Sequence, residues 1–430
     1  MYPSAPGGGV FSLMSDSLKK YILIGIGSIA LAIYVFIEAQ GRGDLFIFLS
    51  ASTDLFEKEN IFKNTYLDGY HYFYSVFFAI LLKPFTYLPM WACNALWLCA
   101  NLFFVFRIFT LIKNLLPLHD FTKNELMALR IGGFLFSLRF IHENLHCMQV
   151  TILILYLSLQ GIQLVFSNKP RPFWGASLIA LGINIKLLPL VLIPYLFYRE
   201  FFKAGIYIII ICVGLLYLPA LLIGWEHNQL LISTWAGLVN PLNSNHVLDA
   251  EERSFHGLST LFSVLFVENP GDTHAMLIKR NITNISLDQL KLYLNIARGV
   301  LILFTLYFLR TLPFKDPISL KHRFWEMSYI LMLIPLIFPH QQHYAFLFIC
   351  PAFIFCLYYF IQNRKTLSKG KFYFMSISGI LIYLLCNLKL ILGNYNEYYE
   401  HFKILTYGAL LLIVLLSLCI PKEVRSTSTN

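Results

Sequence analysis

This sequence of 430 residues has few charged side chains, since Asp, Glu, Lys and Arg together make up 13% of it. Soluble domains average about 25% charged residues, whereas 57% of this chain is hydrophobic. The sequence also lacks a small-residue cleavage site after its first apolar run, residues 21–37, which predicts a retained membrane span and not a signal peptide. These features exclude a soluble globular enzyme and predict that most of the chain lies in lipid.

Signals for metals, disulfides and repeats are missing as well. The eight cysteines fall within or beside apolar runs, without the paired spacing of a zinc site or a disulfide framework. We therefore predict that they are packing residues, with no metal site and no cofactor. The net charge of +10 comes from short Lys and Arg clusters between apolar runs, which is typical of cytoplasmic loops and not of nucleic-acid binding. No internal repeat suggests the inverted halves of a transporter.

Long apolar segments, in contrast, are abundant. A membrane-spanning helix needs about 20 apolar residues. The pattern predicts an all-α fold, a polytopic transmembrane helical bundle of about 10–13 membrane helices that includes short or re-entrant hairpins. It forms a single domain, residues 19–420, between two cytoplasmic tails, residues 1–18 and 421–430. The clear spans are predicted at residues 20–38, 92–112, 148–167, 204–223, 290–309, 325–339, 344–361, 372–392 and 402–420, and a weaker one at 130–141.

The Lys and Arg clusters also predict the orientation of the bundle, with the loops 39–71 and 224–289 on the external face. This orientation is consistent only if two proline-broken apolar segments, residues 72–90 and 173–197, turn back as hairpins. Such hairpins are tolerated where they are buried in protein or line a polar cavity. The alternative is that the number of spans is wrong by one at each of the two segments.

Asp44 directly follows the first apolar helix, in the sequence Gly41-Arg42-Gly43-Asp44. Ionisable residues close to the hydrocarbon core are kept mainly for a task or a partner. A carboxylate on an apolar floor tends to have a raised pKa, which suits a general base near neutral pH. Asp44 is therefore a candidate catalytic base, and the alternative is an interfacial ion pair with Arg42.

Two further candidate groups carry positive charge or imidazole. Lys186 lies amid apolar residues and needs a counter-ion, for which a lipid phosphate would serve. Alternatively, its long side chain extends so that the ammonium group lies at the membrane–water interface. His340 and His343 lie between two predicted spans, without further ligands at metal-binding spacing, so they favour phosphate or hydroxyl recognition over a metal. Interfacial packing is the alternative for both. His256 precedes an apolar helix and is a candidate pocket residue.

In their order and spacing, elements spread over roughly residues 40–350 resemble the membrane glycosyltransferases of family 87 in the GT-C class. The chain departs from the family's pattern at the Gly and Asn of the Gly-Gln-Val-Asn element, which are Met and Thr here, and at the Asn of the Asn-x-Ser-x-x-Gly-Leu element. These departures bear on the acceptor and the sugar more than on the reaction type. The elements are Asp44-Leu45-Phe46-Ile47-Phe48, Tyr70-His71-Tyr72-Phe73-Tyr74-Ser75, Lys83-Pro84-Phe85, Leu88-Pro89, Leu96-Trp97 with Asn101, Met148-Gln149-Val150-Thr151, Ile185-Lys186-Leu187-Leu188-Pro189, Arg253-Ser254-Phe255-His256-Gly257-Leu258 and Phe338-Pro339-His340-Gln341-Gln342-His343-Tyr344.

The resemblance implies a GT-C-type fold and a reaction. A hexose, with mannose favoured, would pass from a polyprenyl-phosphate sugar to a lipid or glycan acceptor, with inversion and without a metal, at the external (periplasmic) face of the cell (inner) membrane. It implies that Asp44 is the catalytic base, that His343 belongs to the active site and that Lys186, together with His340, binds the donor phosphate. The substrate pocket would include Arg42, Tyr72, Gln149 and His256.

Two other classes of protein also use lipid-linked sugars. A transporter or flippase would explain the many helices and a charged cavity, but internal repeats are missing and the external loops hold most of the candidate groups. A polymerase or ligase of surface polysaccharide is expected to rely on external arginines, of which the outer loops have few. The sequence therefore favours the glycosyltransferase and keeps the flippase as the alternative.

Overall fold

The computed structural model describes residues 16–240, 246–272, 275–310, 313–314 and 319–421. These residues form helices joined by turns and loops, with two isolated β-bridges and no strand among them. The predicted all-α helical bundle is therefore confirmed. Most of each predicted tail lies outside the described residues.

The helices before residue 241 include both long and very short ones. Helix starts follow local sequence signals, as in the fifth helix, where Thr122 and Glu125 form a reciprocal capping box with each other's backbone N–H groups. In chain order the helices are α1 (Asp16–Glu38), α2 (Asp44–Phe56), α3 (Val76–Leu82), α4 (Met90–Leu115), α5 (Lys123–His146), α6 (Thr151–Phe166), α7 (Pro172–Ile185), α8 (Leu192–Tyr198), α9 (Phe202–Tyr217), α10 (Ala220–Ile223) and α11 (Trp225–Val239).

The helices after residue 245 continue the bundle. A 3-10 turn, His343–Ile349, leads directly into one of them and makes a continuous apolar element that is largely buried at the centre of the bundle. The helices are α12 (Leu258–Phe266), α13 (Leu287–Leu309), α14 (Leu320–Ile337), α15 (Cys350–Asn363), α16 (Lys369–Asn387), α17 (Asn396–His401) and α18 (Ile404–Leu418).

Six helical elements of the described chain are long and apolar enough to cross a membrane, which indicates a multi-pass membrane protein. A further pair, Gly393–His401 with Ile404–Leu418, qualifies only if both parts are taken together, and it is bent by 68°. The six elements are Lys20–Glu38, Met90–Leu115, Phe202–Ile223, Leu287–Leu309, His343–Asn363 and Lys369–Leu390.

Three of the predicted spans belong to helices outside this group. Residues 148–167 form α6, which has 16 residues, while residues 130–141 and 325–339 lie in α5 and α14. The last two helices carry the buried charges of Arg139 and Glu326. Both charges find partners inside the protein, on Glu143 and Arg199 respectively, as intramembrane charges generally do.

The second predicted hairpin turns back at Lys186. Helices α7 and α9 run parallel, because the ring centroids of Phe173 and Tyr207 lie 5.7 Å apart and the Cys212 thiol reaches the Ala180 carbonyl. The connection through α8 therefore runs in the opposite direction, and its last turn packs beside the end of α6. Both legs of the hairpin meet at Lys186, whose extended backbone ends α7.

The first predicted hairpin is instead a short helix with a 3-10 extension. Helix α3 and the turn Lys83–Tyr87 both pack along α2. Helix α4 then begins beside the end of α1, where the Asn94 amide donates hydrogen bonds of 3.0 Å to the carbonyls of Ala39 and Gly41. Residues 72–90 thus stay at one end of the bundle, which we call the Asp44 end.

Candidate active site

Asp44 is fixed at the point where α2 begins against the end of α5. Its backbone N–H donates to the Cys147 carbonyl at 3.0 Å. A Cβ on Gly43 would lie 2.9 Å from that same carbonyl and 2.7 Å from the side chain of Met148. Only glycine permits this approach, so Gly43 allows α2 to start directly beside α5. A carboxylate in the first turn of a helix also meets the positive end of the helix dipole.

The carboxylate of Asp44 accepts a hydrogen bond from the side-chain amide of Gln149. The amide oxygen of Gln149 in turn accepts the hydroxyl of Tyr74 at 3.2 Å. Arg42 does not pair with Asp44, because its guanidinium lies 5.8 Å from the ring centroid of Phe46. Burial raises the pKa of Asp44 to about 6, although the charge of Lys186 and the hydrogen bond from Gln149 oppose the rise. A carboxyl with this pKa can serve as a base near neutral pH.

Lys186 lies at the apex of its hairpin with its ammonium between two tyrosine rings. Its Nζ is 5.6 Å from the ring centroid of Tyr74 and 6.0 Å from that of Tyr344. In the described part of the chain its ammonium forms no ion pair with a carboxylate, although it is close enough to Asp44 for the two charges to interact. A cation without a paired anion in this setting has capacity for an anionic ligand.

Tyr74 faces Lys186 directly and is linked to Asp44 through Gln149, and its neighbour Ser75 is bonded to two helices. The hydroxyl of Ser75 donates to the side-chain oxygen of Asn184 at 2.8 Å and accepts the N–H of Phe78, which caps α3. Asn184 belongs to the last turn of α7, two residues before Lys186. The loop that carries Tyr74 is therefore bonded to the leg that carries Lys186.

Tyr72, predicted to line the substrate pocket, is completely buried. Its hydroxyl donates to the Ser75 carbonyl at 2.8 Å, and its ring packs against those of Phe48, Phe62 and Tyr74. Tyr72 thus packs against Tyr74, and its side chain is not exposed at the site.

His343 and His256 both join a buried group of charged side chains that we call the Glu143 cluster. The imidazole Nε2 of His343 lies 3.4 Å from Glu143, and that of His256 lies 2.5 Å from Glu400. His256, predicted to line the substrate pocket, is completely buried within this group. The members of the cluster are Arg139, Glu143, His256, His343, Lys389 and Glu400.

The Glu143 cluster borders the site around Asp44 on two sides. Cys147, whose carbonyl accepts the Asp44 N–H, follows Glu143 by about one helical turn of 5.4 Å. His343 immediately precedes Tyr344, whose ring faces Lys186. Lys389 connects the two acids of the cluster, at 3.7 Å from Glu143 and 2.7 Å from Glu400.

His340, predicted to bind the donor phosphate, pairs with Asp249 and His246. Its Nδ1 lies 2.8 Å from a carboxylate oxygen of Asp249, and its Nε2 lies 2.6 Å from His246. Burial disfavours a charged imidazole, but the hydrogen bond and the negative charge of Asp249 raise the pKa of His340 above its usual value. Both ring nitrogens of His340 therefore have partners within the protein, and its role at the donor phosphate stays a prediction.

Glu252 is the acid near Asp44 that reasoning from the sequence missed. Its carboxylate accepts the Gln342 amide at 2.7 Å and the Ser254 hydroxyl at 3.2 Å. Its charge acts on Asp44 and contributes to the raised pKa there. The only signal in the sequence was its position just before the Ser254 to Gly257 element. The contact itself depends on a bridge between Phe255 and Gln342, which no local pattern predicts.

Within the described residues, no three His, Cys, Asp or Glu side chains are arranged to hold a metal ion. The protein is a multi-pass helical membrane protein with a carboxylate, an amide and an ammonium group gathered at one end of its bundle. The sequence profile of glycosyltransferase family 87 matches residues 72–316, more than half of the chain, and the chain belongs to this family. It is a membrane glycosyltransferase. No curated protein and no solved structure matches it.

Proposed function

We propose that this membrane glycosyltransferase transfers a hexose, with mannose favoured, from a polyprenyl-phosphate sugar to a hydroxyl group of a lipid or glycan acceptor. The observation that carries the proposal is the arrangement of Asp44 and Lys186. A carboxyl whose pKa is raised to about 6 and an ammonium that has no ion-paired carboxylate among the described residues are linked through Gln149 and Tyr74. A base and an anion-binding cation are the two groups that such a transfer requires.

Asp44 is proposed to act on the acceptor. As the acceptor oxygen approaches the anomeric carbon, its proton passes to the Asp44 carboxylate, and a new bond forms between that oxygen and the carbon. The bond from the anomeric carbon to the phosphate oxygen breaks, and its electron pair stays on the departing polyprenyl phosphate. Attack from the side opposite the phosphate inverts the anomeric configuration.

Lys186 is proposed to bind the phosphate of the donor. The leaving phosphate gains negative charge as its bond to the sugar breaks, and a fixed ammonium group stabilises that charge most strongly where water is excluded. Tyr74 and Tyr344 cover the ammonium with their rings, so a phosphate there would meet a cation held in a defined position.

His343 is proposed to stand beside the acceptor or the donor phosphate. Its Nδ1 is buried and makes no hydrogen bond within the part of the chain that the structure describes, while Nε2 faces Glu143. An imidazole with one unused nitrogen can donate to or accept from a hydroxyl group. Gln149 contacts Asp44 directly, which supports its predicted place in the pocket.

The external face of the cell membrane is the proposed side of the reaction. The basic residues between the helices support it, because Lys169 precedes α7 and Lys369 begins α16, both at the end of the bundle away from Asp44. Loops rich in Lys and Arg face the cytoplasm in membrane proteins.

The test is a transfer assay with purified protein, a panel of radiolabelled polyprenyl-phosphate sugars and a membrane lipid extract. Label is expected to enter an acceptor from one donor with the wild type and not with Asp44→Asn. A protein that moved intact donor across vesicle membranes without forming any labelled product would show a flippase and overturn the proposal. Equal transfer by Asp44→Asn would overturn the mechanism.

A further inference from the structure

A polar cleft of ≈ 390 Å³ opens at the Asp44 end, between the turn at Arg253 and the segment that follows α16. Its floor includes Lys389 and Glu400, two members of the Glu143 cluster, which form an ion pair with each other at 2.7 Å. Its rim carries Arg253 and Glu397, whose side chains approach to 3.5 Å, and the exposed Asn394. The cleft thus combines paired charges with an amide.

This lining is suited to a neutral ligand rich in hydroxyl groups. Each hydroxyl both donates and accepts hydrogen bonds, and carboxylates, amides and basic groups together supply both kinds of partner. A phosphate fits poorly, because Glu397 and Glu400 would repel it while Arg253 and Lys389 are already paired with them. The cleft therefore differs in chemistry from the surroundings of Lys186, where a single cation lacks an ion-paired anion.

Two tyrosines of the same short segment line a separate, apolar cleft and not this one. Tyr395 and Tyr398 expose 67% and 43% of their surface, and their ring centroids are 6.2 Å apart.

The cleft and Asp44 are connected by short contacts. Lys389 on its floor lies 3.7 Å from Glu143, and about one helical turn separates Glu143 from Cys147, which bonds the backbone of Asp44. On the other side, Ser254 lines the cleft and bonds Glu252, whose charge acts on Asp44. The cleft is therefore linked to Asp44 through intervening residues on both sides, Lys389 with Glu143 on one and Ser254 with Glu252 on the other.

We propose that this cleft binds the sugar portion of the acceptor, so that the acceptor is a glycan-bearing molecule and not a simple lipid alcohol. This inference rests on the proposed function, and it goes further by naming the acceptor class and its site. Much of the cleft is lined by residues within 389–400, which lie outside the segment that matches the family.

Binding can be tested separately from transfer. The probes are methyl glycosides and disaccharides of glucose, mannose and galactose, and saturation-transfer NMR reports their contact with the protein in detergent. Wild type and Asp44→Asn are both expected to bind at least one probe. A double variant, Asn394→Ala with Glu397→Gln, is expected to weaken binding about 2–10-fold for each hydrogen bond lost. Glu268→Gln, an exposed acid that does not line the cleft, is the matched control.

In the transfer assay, the double variant is expected to raise the acceptor KM and to leave the donor KM unchanged. Absence of binding by every probe, or equal binding by the wild type and the double variant, overturns the inference. Displacement of a bound probe by inorganic phosphate would also overturn it, because the cleft would then be an anion site. If the wild type bound sugars through the cleft but transferred no sugar in the assay, the proposed function would be wrong and the sugar site would still be supported.

Discussion

Gln149 donates a hydrogen bond to the carboxylate of Asp44, although 105 positions of sequence separate the two residues. The same side chain accepts the hydroxyl of Tyr74 at 3.2 Å, so its amide is held in one orientation. A hydrogen bond to the ionised form lowers the pKa of a carboxyl group. Gln149 therefore opposes the burial that raises the pKa of Asp44 and helps to set the pH at which Asp44 can accept a proton.

Asp44→Asn is expected to keep the fold and to lower transfer by about 10²–10⁴, the usual loss when a general base is removed. The amide has nearly the size of the carboxylate and can still bond Gln149, which isolates the loss of the base. Turnover at saturating donor is the measurement. Asp120→Asn, which changes an exposed acid at the far end of α4, should behave as the wild type. Turnover close to that of the wild type in Asp44→Asn would mean that the base is another group.

The rate should fall on the acid side with an apparent pKa of about 6. Asp44 must be ionised to accept a proton, and burial raises its pKa to about 6. Turnover should therefore fall roughly tenfold for each unit well below pH 6. A pH series at saturating substrates measures this acidic limb of the pH–rate profile, and unfolding must be followed in the same samples. A flat profile from pH 5 to 7 would contradict the assignment.

Two neighbouring side chains should shift this limb in opposite directions. Gln149→Leu removes a hydrogen bond that lowers the pKa of Asp44, so the limb should move to higher pH. Glu252→Gln removes a negative charge that raises the same pKa, so the limb should move to lower pH. Glu251→Gln, the exposed neighbour, is the control with the same change of charge. Shifts of the same sign in both variants would show that the effects are structural.

Lys186→Ala should weaken the enzyme's use of its donor by about 10–100-fold, the cost of losing a hydrogen bond to a charged group. A larger donor Kd would indicate that Lys186 holds the phosphate in the ground state, and a lower kcat would indicate that it acts on the leaving group. Lys186→Arg keeps the charge and should recover part of the loss. If Lys186→Ala left both donor affinity and turnover unchanged, the ammonium would have no role at the phosphate.

The sidedness of the bundle can be measured with single cysteines in a protein lacking the native eight. Exposed positions at the Asp44 end, Arg42 and Asn394, should react with an impermeant maleimide in intact cells. Lys169 and Lys369, exposed at the opposite end, should react only after permeabilisation. Labelling of Lys169 or Lys369 in intact cells would reverse the orientation and move the proposed reaction to the cytoplasmic face.

Sequence patterns predicted the parts of this protein that depend on local chemistry. Apolar runs of sufficient length predicted the long helices, and the prolines within residues 173–197 predicted a hairpin there, which turns at Lys186. The position of Asp44 after the first helix predicted a site at that end. These signals work because span length and proline breaks act over one or two helical turns.

The partners of the histidines could not be predicted in the same way. His340 meets Asp249 across 91 positions, and His256 meets Glu400 across 144. Both pairs form inside protein, where an imidazole takes whichever polar partner the packing supplies. A histidine at the predicted outer end of a helix is compatible with either a binding role or a buried ion pair, and here the packing decides.

The hairpin that carries Lys186 also affects how the rest of the chain is oriented. Because its two legs enter and leave at the same end of the bundle, the hairpin adds no net membrane crossing. The side of the membrane on which each later helix begins therefore does not depend on it. Shortening both legs together, or removing residues 172–198 as a unit, would leave α9 and every later helix on its present side. The segment that carries Lys186 can therefore be changed in length and depth without inverting the remainder of the protein.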